Sequence, residues 1–173
     1  MMTVLVTGPI GGGKSTVCKY LESKGFPVYD CDSRCKLLYD SVPGLKERIE
    51  SELGIAFSEL GRIFSDHSLR DRLEAIVYPL LLEDLDRWKA GLHGPLAFIE
   101  SAIALDKPQF DGSSDTVLMI TARRSIRFKR NAHARERDPL QTFDVSKADY
   151  IILNNASVEE LFGNVDIYLK KFI

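Results

Sequence analysis

Gly8-Pro9-Ile10-Gly11-Gly12-Gly13-Lys14-Ser15 lies between the apolar run Thr3-Val4-Leu5-Val6 and the helical pattern that begins at Ser15-Thr16-Val17-Cys18. A glycine-rich turn, a lysine and a hydroxyl at this spacing, between a strand and a helix, form a phosphate-binding P-loop. Backbone N–H groups can curl around phosphate oxygens only where side chains are nearly absent. Gly8, Gly11, Gly12 and Gly13, with the backbone of Ile10 and Thr16 on either side, meet that need. Lys14 is the residue expected to neutralise the β- and γ-phosphates, and Ser15 the one expected to offer its hydroxyl to Mg²⁺. The phosphates then rest on the N-terminus of the following helix, where unpaired N–H groups and the helix dipole favour an anion. The loop implies a nucleotide ligand and leaves the reaction open.

The rest of the chain narrows the class. At 173 residues and 45% hydrophobic, the chain suffices for one well-buried core and is too short for two independent ones. A net charge of −2 gives no global reason to bind nucleic acid or an anionic membrane, so a small molecule is the expected partner. Cys18, Cys31 and Cys35 are odd in number and form no CxxC pair. With no cleavable signal and no apolar segment of spanning length, reduced thiols in a cytoplasmic protein are expected. Cys31 and Cys35 stand four apart without a neighbouring His or second pair, which reads as core or near-surface packing, not a metal site.

Apolar runs bounded by turn residues recur at 3–7, 27–29, 96–99, 116–120 and 150–153, with longer segments between them. Alternation of strand and helix predicts an α/β fold with a doubly wound parallel sheet of about five strands and ligands at the strands' carboxyl ends. Val117-Leu118-Met119-Ile120 and Tyr150-Ile151-Ile152-Leu153 are continuous apolar runs, as expected of strands covered on both faces. Residues 33–94 carry helical periodicity and no convincing strand, which predicts a helical insertion at the active-site edge within a single domain spanning 1–173. Within it Leu69, Leu73, Ile76, Val77, Leu80, Leu81 and Leu85 mark one apolar stripe, and Pro79 predicts a kink or a break.

A P-loop does not separate a kinase from a hydrolytic switch, so the charged residues after the other strands decide. Asp30 and Asp32 follow the second strand, at the edge to which the P-loop also points. One carboxylate can fix a cation while the other orients an attacking hydroxyl and takes its proton late, an ordinary Asp being a weak base with a pKa of about 3.9. The same residues would also serve as a helix N-cap and a first-turn dipole partner. Glu100 ends the third strand, where P-loop proteins hold an acid near the metal or substrate, and Asp106 follows at a turn. Arg123, Arg124, Arg127, Lys129, Arg130, Arg135 and Arg137 follow the fourth strand at helical spacing and predict a lid over 123–147. Arginines closing on a γ-phosphate contribute roughly 10³ to 10⁵ in rate. Arg130 and Arg135 are the expected catalytic pair, the remainder forming a solvated face. The cluster lacks the aromatic interleaving of a nucleic-acid surface. His67, His93 and His133 have no acid or nucleophile beside them and read as surface or capping residues.

These residues together resemble the dephospho-CoA kinase family, P-loop kinases that phosphorylate the ribose 3′-hydroxyl of dephospho-CoA. The resemblance rests on 6–17, on Gly25-Phe26-Pro27-Val28-Tyr29-Asp30-Cys31-Asp32, on Phe64-Ser65-Asp66 leading to 73–80, and on 148–157. It implies ATP and Mg²⁺ as cofactors, Asp32 as the base for the 3′-hydroxyl, and Thr7, Asp30 and Lys36 as active-site positions. It also implies Asn154 and Asn155 near the adenine of ATP, and Tyr78 and Glu100 on the acceptor side. Tyr78-Pro79 stands where the family usually has His-Pro, and Glu100-Ser101-Ala102-Ile103-Ala104-Leu105-Asp106 replaces an Asp-x-Pro-Leu-Leu-Phe-Glu type segment. The stretches around 52–62 and 131–147 are also shorter than the family's. An intact ATP side with a drifting acceptor side leaves two alternatives open: a kinase for (deoxy)nucleoside monophosphates, and a nucleotide-binding sensor or scaffold without transfer activity. The oligomeric state is not legible in the sequence.

Overall fold

A computed structural model of the protein describes residues 1–138 and 144–172. Five strands form one parallel sheet: β1 Met2–Thr7, β2 Val28–Asp30, β3 Leu96–Glu100, β4 Thr116–Thr121 and β5 Tyr150–Leu153, in the order β2-β3-β1-β4-β5. The helices are α1 Lys14–Ser23, α2 Cys31–Ser41, α3 Leu45–Leu53, α4 His67–Ala90, α5 Arg124–Arg130, α6 Ala134–Arg137 and α7 Val158–Leu169. Two compact units emerge, one of Met1–Asp30 with His93–Ile173 and one of Cys31–Leu92.

In the sheet unit, alternate residues Val4, Val6, Phe98, Leu118, Ile120 and Ile152 face a core completed by Val17 and Leu21 of α1 and Leu161 and Val165 of α7. The other residues of the central strands, Leu5, Ile99 and Met119, are also buried, as continuous apolar runs require. β5 departs from that expectation. Ile152 is 2% exposed but Ile151 is 38% and Leu153 59%, because β5 is the edge strand and, among the described residues, it is packed chiefly on its α7 face. Asp115 anchors the start of β1 by accepting bonds from the Thr3 N–H and hydroxyl, and Asp149 does the same for Val117 N–H and Thr116 hydroxyl.

The helical unit is built on α4, whose apolar stripe buries Ile76, Val77, Leu81 and Leu85. Asp66 caps it by accepting from the Leu69 N–H, and Arg87 and Lys89 in the last turn complement the dipole. Pro79 does not break α4, which runs unbroken from His67 to Ala90. Pro79 and Ala75, whose carbonyl loses its partner, are both exposed, so water can satisfy the freed group. Arg34 of α2 forks onto Asp84 of α4 at 2.7 and 2.9 Å, fixing those two helices together. Among the described residues no helix is long and apolar enough to cross a membrane.

Candidate active site

The loop between β1 and α1 is moulded onto β4 and α5. Gly8 has φ 135°, and the Ile120 carbonyl occupies the place of a Cβ; Gly11 has φ 77°, and a Cβ there would lie 2.7 Å from the Arg127 carbonyl oxygen. Neither conformation nor space admits a side chain. The Lys14 ammonium donates to the carbonyls of Gly8 at 2.8 Å and Pro9 at 3.4 Å, which folds its stem along the loop. α1 starts at Gly13 with no side-chain cap and no acidic residue in its first turn. By contrast, α7 is capped by Ser157, whose hydroxyl accepts from the Glu160 N–H. An N-terminus with no side-chain cap and no acidic residue in its first turn favours an anion through the helix dipole.

Parallel register brings the acids to the same edge. Glu100 pairs with Val6 on one side and with Asp30 on the other, so both carboxylates stand at the carboxyl ends of their strands. Ser15 Oγ donates to Glu100 Oε1 at 2.7 Å, joining the P-loop hydroxyl to the end of β3. One turn further along α1, burial pushes the Cys18 thiol well above its ordinary range, and the negative fields of Glu100 and then Asp30 add to that. A serine hydroxyl bonded to one carboxylate, with a second acid paired to it on the neighbouring strand, is a hard-oxygen donor set, the kind Mg²⁺ takes when phosphates and water complete its shell. The described residues contain no group of three or more His, Cys, Asp and Glu side chains placed to hold a metal ion. Thr7, at the base of the loop, is fully buried, and its hydroxyl finds no partner among the described residues.

Asn154 and Asn155, implied at the adenine, have their side chains engaged within the fold. Asn154 is 6% exposed; its amide donates to the Gly12 carbonyl at 3.0 Å, and its Oδ1 accepts from Arg130 at 3.4 Å. Arg130 also donates to the Asn154 carbonyl at 3.0 Å, and Asn155 Oδ1 accepts from the Arg123 N–H at 2.8 Å. The segment after β5 thus braces both the P-loop and the start of α5. Arg135 is exposed and lies over the Phe128 ring, 5.6 Å from its centroid. Arg137 lies in α6 with its side chain outside the described residues, as are residues 139–143 of the 123–147 range.

Residues 2–160 match the family model "Dephospho-CoA kinase". The chain belongs to the dephospho-CoA kinase family. A dephospho-CoA kinase of Porphyromonas gingivalis is 35% identical over 151 residues, covering 82% of this chain and 74% of that one. One from Thermus thermophilus is 32% identical, covering 90% and 84%. Among solved structures, TT1252 from Thermus thermophilus superposes with a TM-score of 0.84 at 26% identity, covering 99% of this chain and 98% of that one. The shikimate kinase of Acinetobacter baumannii, at 17% identity and TM-score 0.56 with 99% and 94% covered, shares the fold.

The acceptor-side residues that the family resemblance names, other than Glu100, Thr7 and Asp30, lie in the helical unit. Asp32 is exposed in the first turn of α2, and Lys36 is exposed one turn later. Tyr78 is 5% exposed in α4, and burial, reinforced by Glu74, pushes its phenol well above the ordinary range. His67, His93 and His133 are exposed. Sequence reasoning overlooked Arg127, treated as one cation of a solvated face: it is 5% exposed and fully engaged. Nothing in the spacing separates it from Arg124 and Arg130, three residues away on either side. The bracing role of Asn154 was also beyond sequence reasoning, since its partner Gly12 lies 142 residues away.

Proposed function

We propose that this chain transfers the γ-phosphoryl group of ATP to the ribose 3′-hydroxyl of dephospho-CoA, giving CoA and ADP. The observation that carries the reading is the Ser15–Glu100 hydrogen bond of 2.7 Å at the uncapped start of α1, within a chain of the dephospho-CoA kinase family. P-loop N–H groups bind the β- and γ-phosphates, and Lys14 swings from its carbonyl partners onto them. Ser15, with Glu100 and Asp30 at the neighbouring strand ends, would hold Mg²⁺, which would supply charge neutralisation at the phosphates. Asp32 orients the 3′-hydroxyl and accepts its proton as the oxygen–phosphorus bond forms and the bond to the β-phosphate oxygen breaks. Arg130 and Arg135 draw charge from the equatorial oxygens. Lys36 stands exposed on the acceptor side, with the buried Thr7 and Tyr78 as supporting positions. The three cysteines are free thiols, in keeping with a cytoplasmic enzyme.

The test is a competition: purified protein, ATP and Mg²⁺ with dephospho-CoA and a mixture of ribo- and deoxynucleoside monophosphates, the products resolved by mass spectrometry. CoA is the expected product. A phosphorylated monophosphate with untouched dephospho-CoA would transfer the reading to a nucleoside monophosphate kinase, and ATP binding without any phosphorylated product would favour a sensor.

A further inference from the structure

We infer that Arg127 is a positioning residue that sets the apex of the P-loop for ATP, a role distinct from that of the phosphate-facing lid arginines. Each guanidinium nitrogen has its own acceptor: Nε donates to the Ala122 carbonyl at 3.1 Å, Nη1 to the Ile10 carbonyl at 3.3 Å, and Nη2 pairs with Asp138 Oδ1 at 2.6 Å. Ala122 follows β4, Ile10 is the apex of the loop, and Asp138 follows α6, so one side chain ties three segments together. The contact is reinforced through the backbone, because Gly11 packs against the Arg127 main chain with no room for a Cβ. The Ile10–Gly11 segment is therefore held from its carbonyl side by Arg127, which directs the N–H side of the loop toward the phosphates.

Burial excludes the alternative role. A cation that meets a γ-phosphate must be reachable, whereas the Arg127 side chain is 6% exposed and all its nitrogens are engaged. Arg124 is the contrast: it reaches the same Asp138 at 2.9 Å with its side chain 77% exposed. Only a planar fork serves three diverging acceptors, so lysine is not an equivalent here.

The inference rests on the kinase reading, and its test separates the two. In Arg127→Lys the ammonium keeps the charge pair with Asp138 and releases Ile10, so the affinity for a fluorescent ATP analogue and the KM for ATP weaken by about tenfold. The KM for dephospho-CoA stays within about twofold, and the unfolding midpoint falls by only a few degrees. Wild-type ATP affinity in Arg127→Lys would overturn the inference, as would equal rises in both KM values, the mark of a merely structural defect. The direct titration needs no acceptor, so it reads Arg127 even if dephospho-CoA proves not to be the substrate. Should Arg127→Lys not fold, Asp138→Asn loosens the same fork from its other end. A rise of about twofold or more in ATP KM at constant acceptor KM is then expected, and an unchanged ATP KM would overturn the inference.

Discussion

The sheet unit and the helical unit treat their buried polar groups in opposite ways. Among the described residues, the buried polar and charged side chains Thr3, Thr7, Ser101, Arg127 and Asn154 all belong to the sheet unit, and Thr7, Arg127 and Asn154 belong to the P-loop or touch it. The helical unit buries Leu38, Leu45, Ile49, Ile76, Val77 and Leu81, with the Tyr78 phenol beside Glu74 as its polar exception, and its strong ion pair Arg34–Asp84 is partly exposed. Directional bonds fix atoms to tenths of an ångström, as phosphoryl transfer requires, whereas apolar packing tolerates exchange of side chains of similar volume. That difference accords with an intact loop motif in the sheet unit and a departure from the family pattern at Tyr78 in the helical unit.

The largest effect belongs to the loop. Lys14→Ala is expected to lower kcat roughly 10² to 10³-fold, read by a coupled ADP-release assay, with an unchanged circular dichroism spectrum. Asp32→Asn tests the other unit: turnover falls by about 10²-fold or more while ATP affinity stays put. If Asp32→Asn instead weakened ATP binding and spared kcat, the division between a phosphate-holding unit and an acceptor-activating helix would fail. Asn154→Ala sharpens the comparison from inside the sheet unit. It leaves the Gly12 carbonyl and Arg130 short of a partner, so stability drops by about 1–3 kcal/mol in urea unfolding and ATP KM rises with it.

The smallest effect at neutral pH is electrostatic. Cys18, Tyr39 and Tyr78 all have raised values, Tyr39 to about 12 through burial, so the folded state releases these protons later than the unfolded chain. Their contribution is complete below pH 9.0, the ordinary value of a thiol, and is lost as pH climbs toward the folded values. Urea midpoints measured between pH 8 and pH 11 should therefore fall, and fall less steeply in Cys18→Ala. A flat profile would contradict the burial of the thiol beside Glu100 and Asp30.

Much of this was legible in the chain. Gly8 to Ser15 specified the loop, and the apolar runs located all five strands, because local sterics and hydrophobic period act over a few residues. Two local readings met longer-range facts. The run Tyr150-Ile151-Ile152-Leu153 looked two-sided, yet the hydrophobicity of a strand does not say whether it lies at the sheet's edge. Pro79 looked disruptive, yet it falls on the solvent side of α4. The braces from Asn154 and Arg127 to the loop were not readable at all, since they join segments more than a hundred residues apart and no residue type announces them.

The most direct measurement of the central claim is ³¹P NMR of a reaction containing the protein, ATP, Mg²⁺ and dephospho-CoA. The account requires a new phosphomonoester resonance of the ribose 3′-phosphate growing in step with ADP. Growth of inorganic phosphate alone, with the dephospho-CoA signals unchanged, would contradict it.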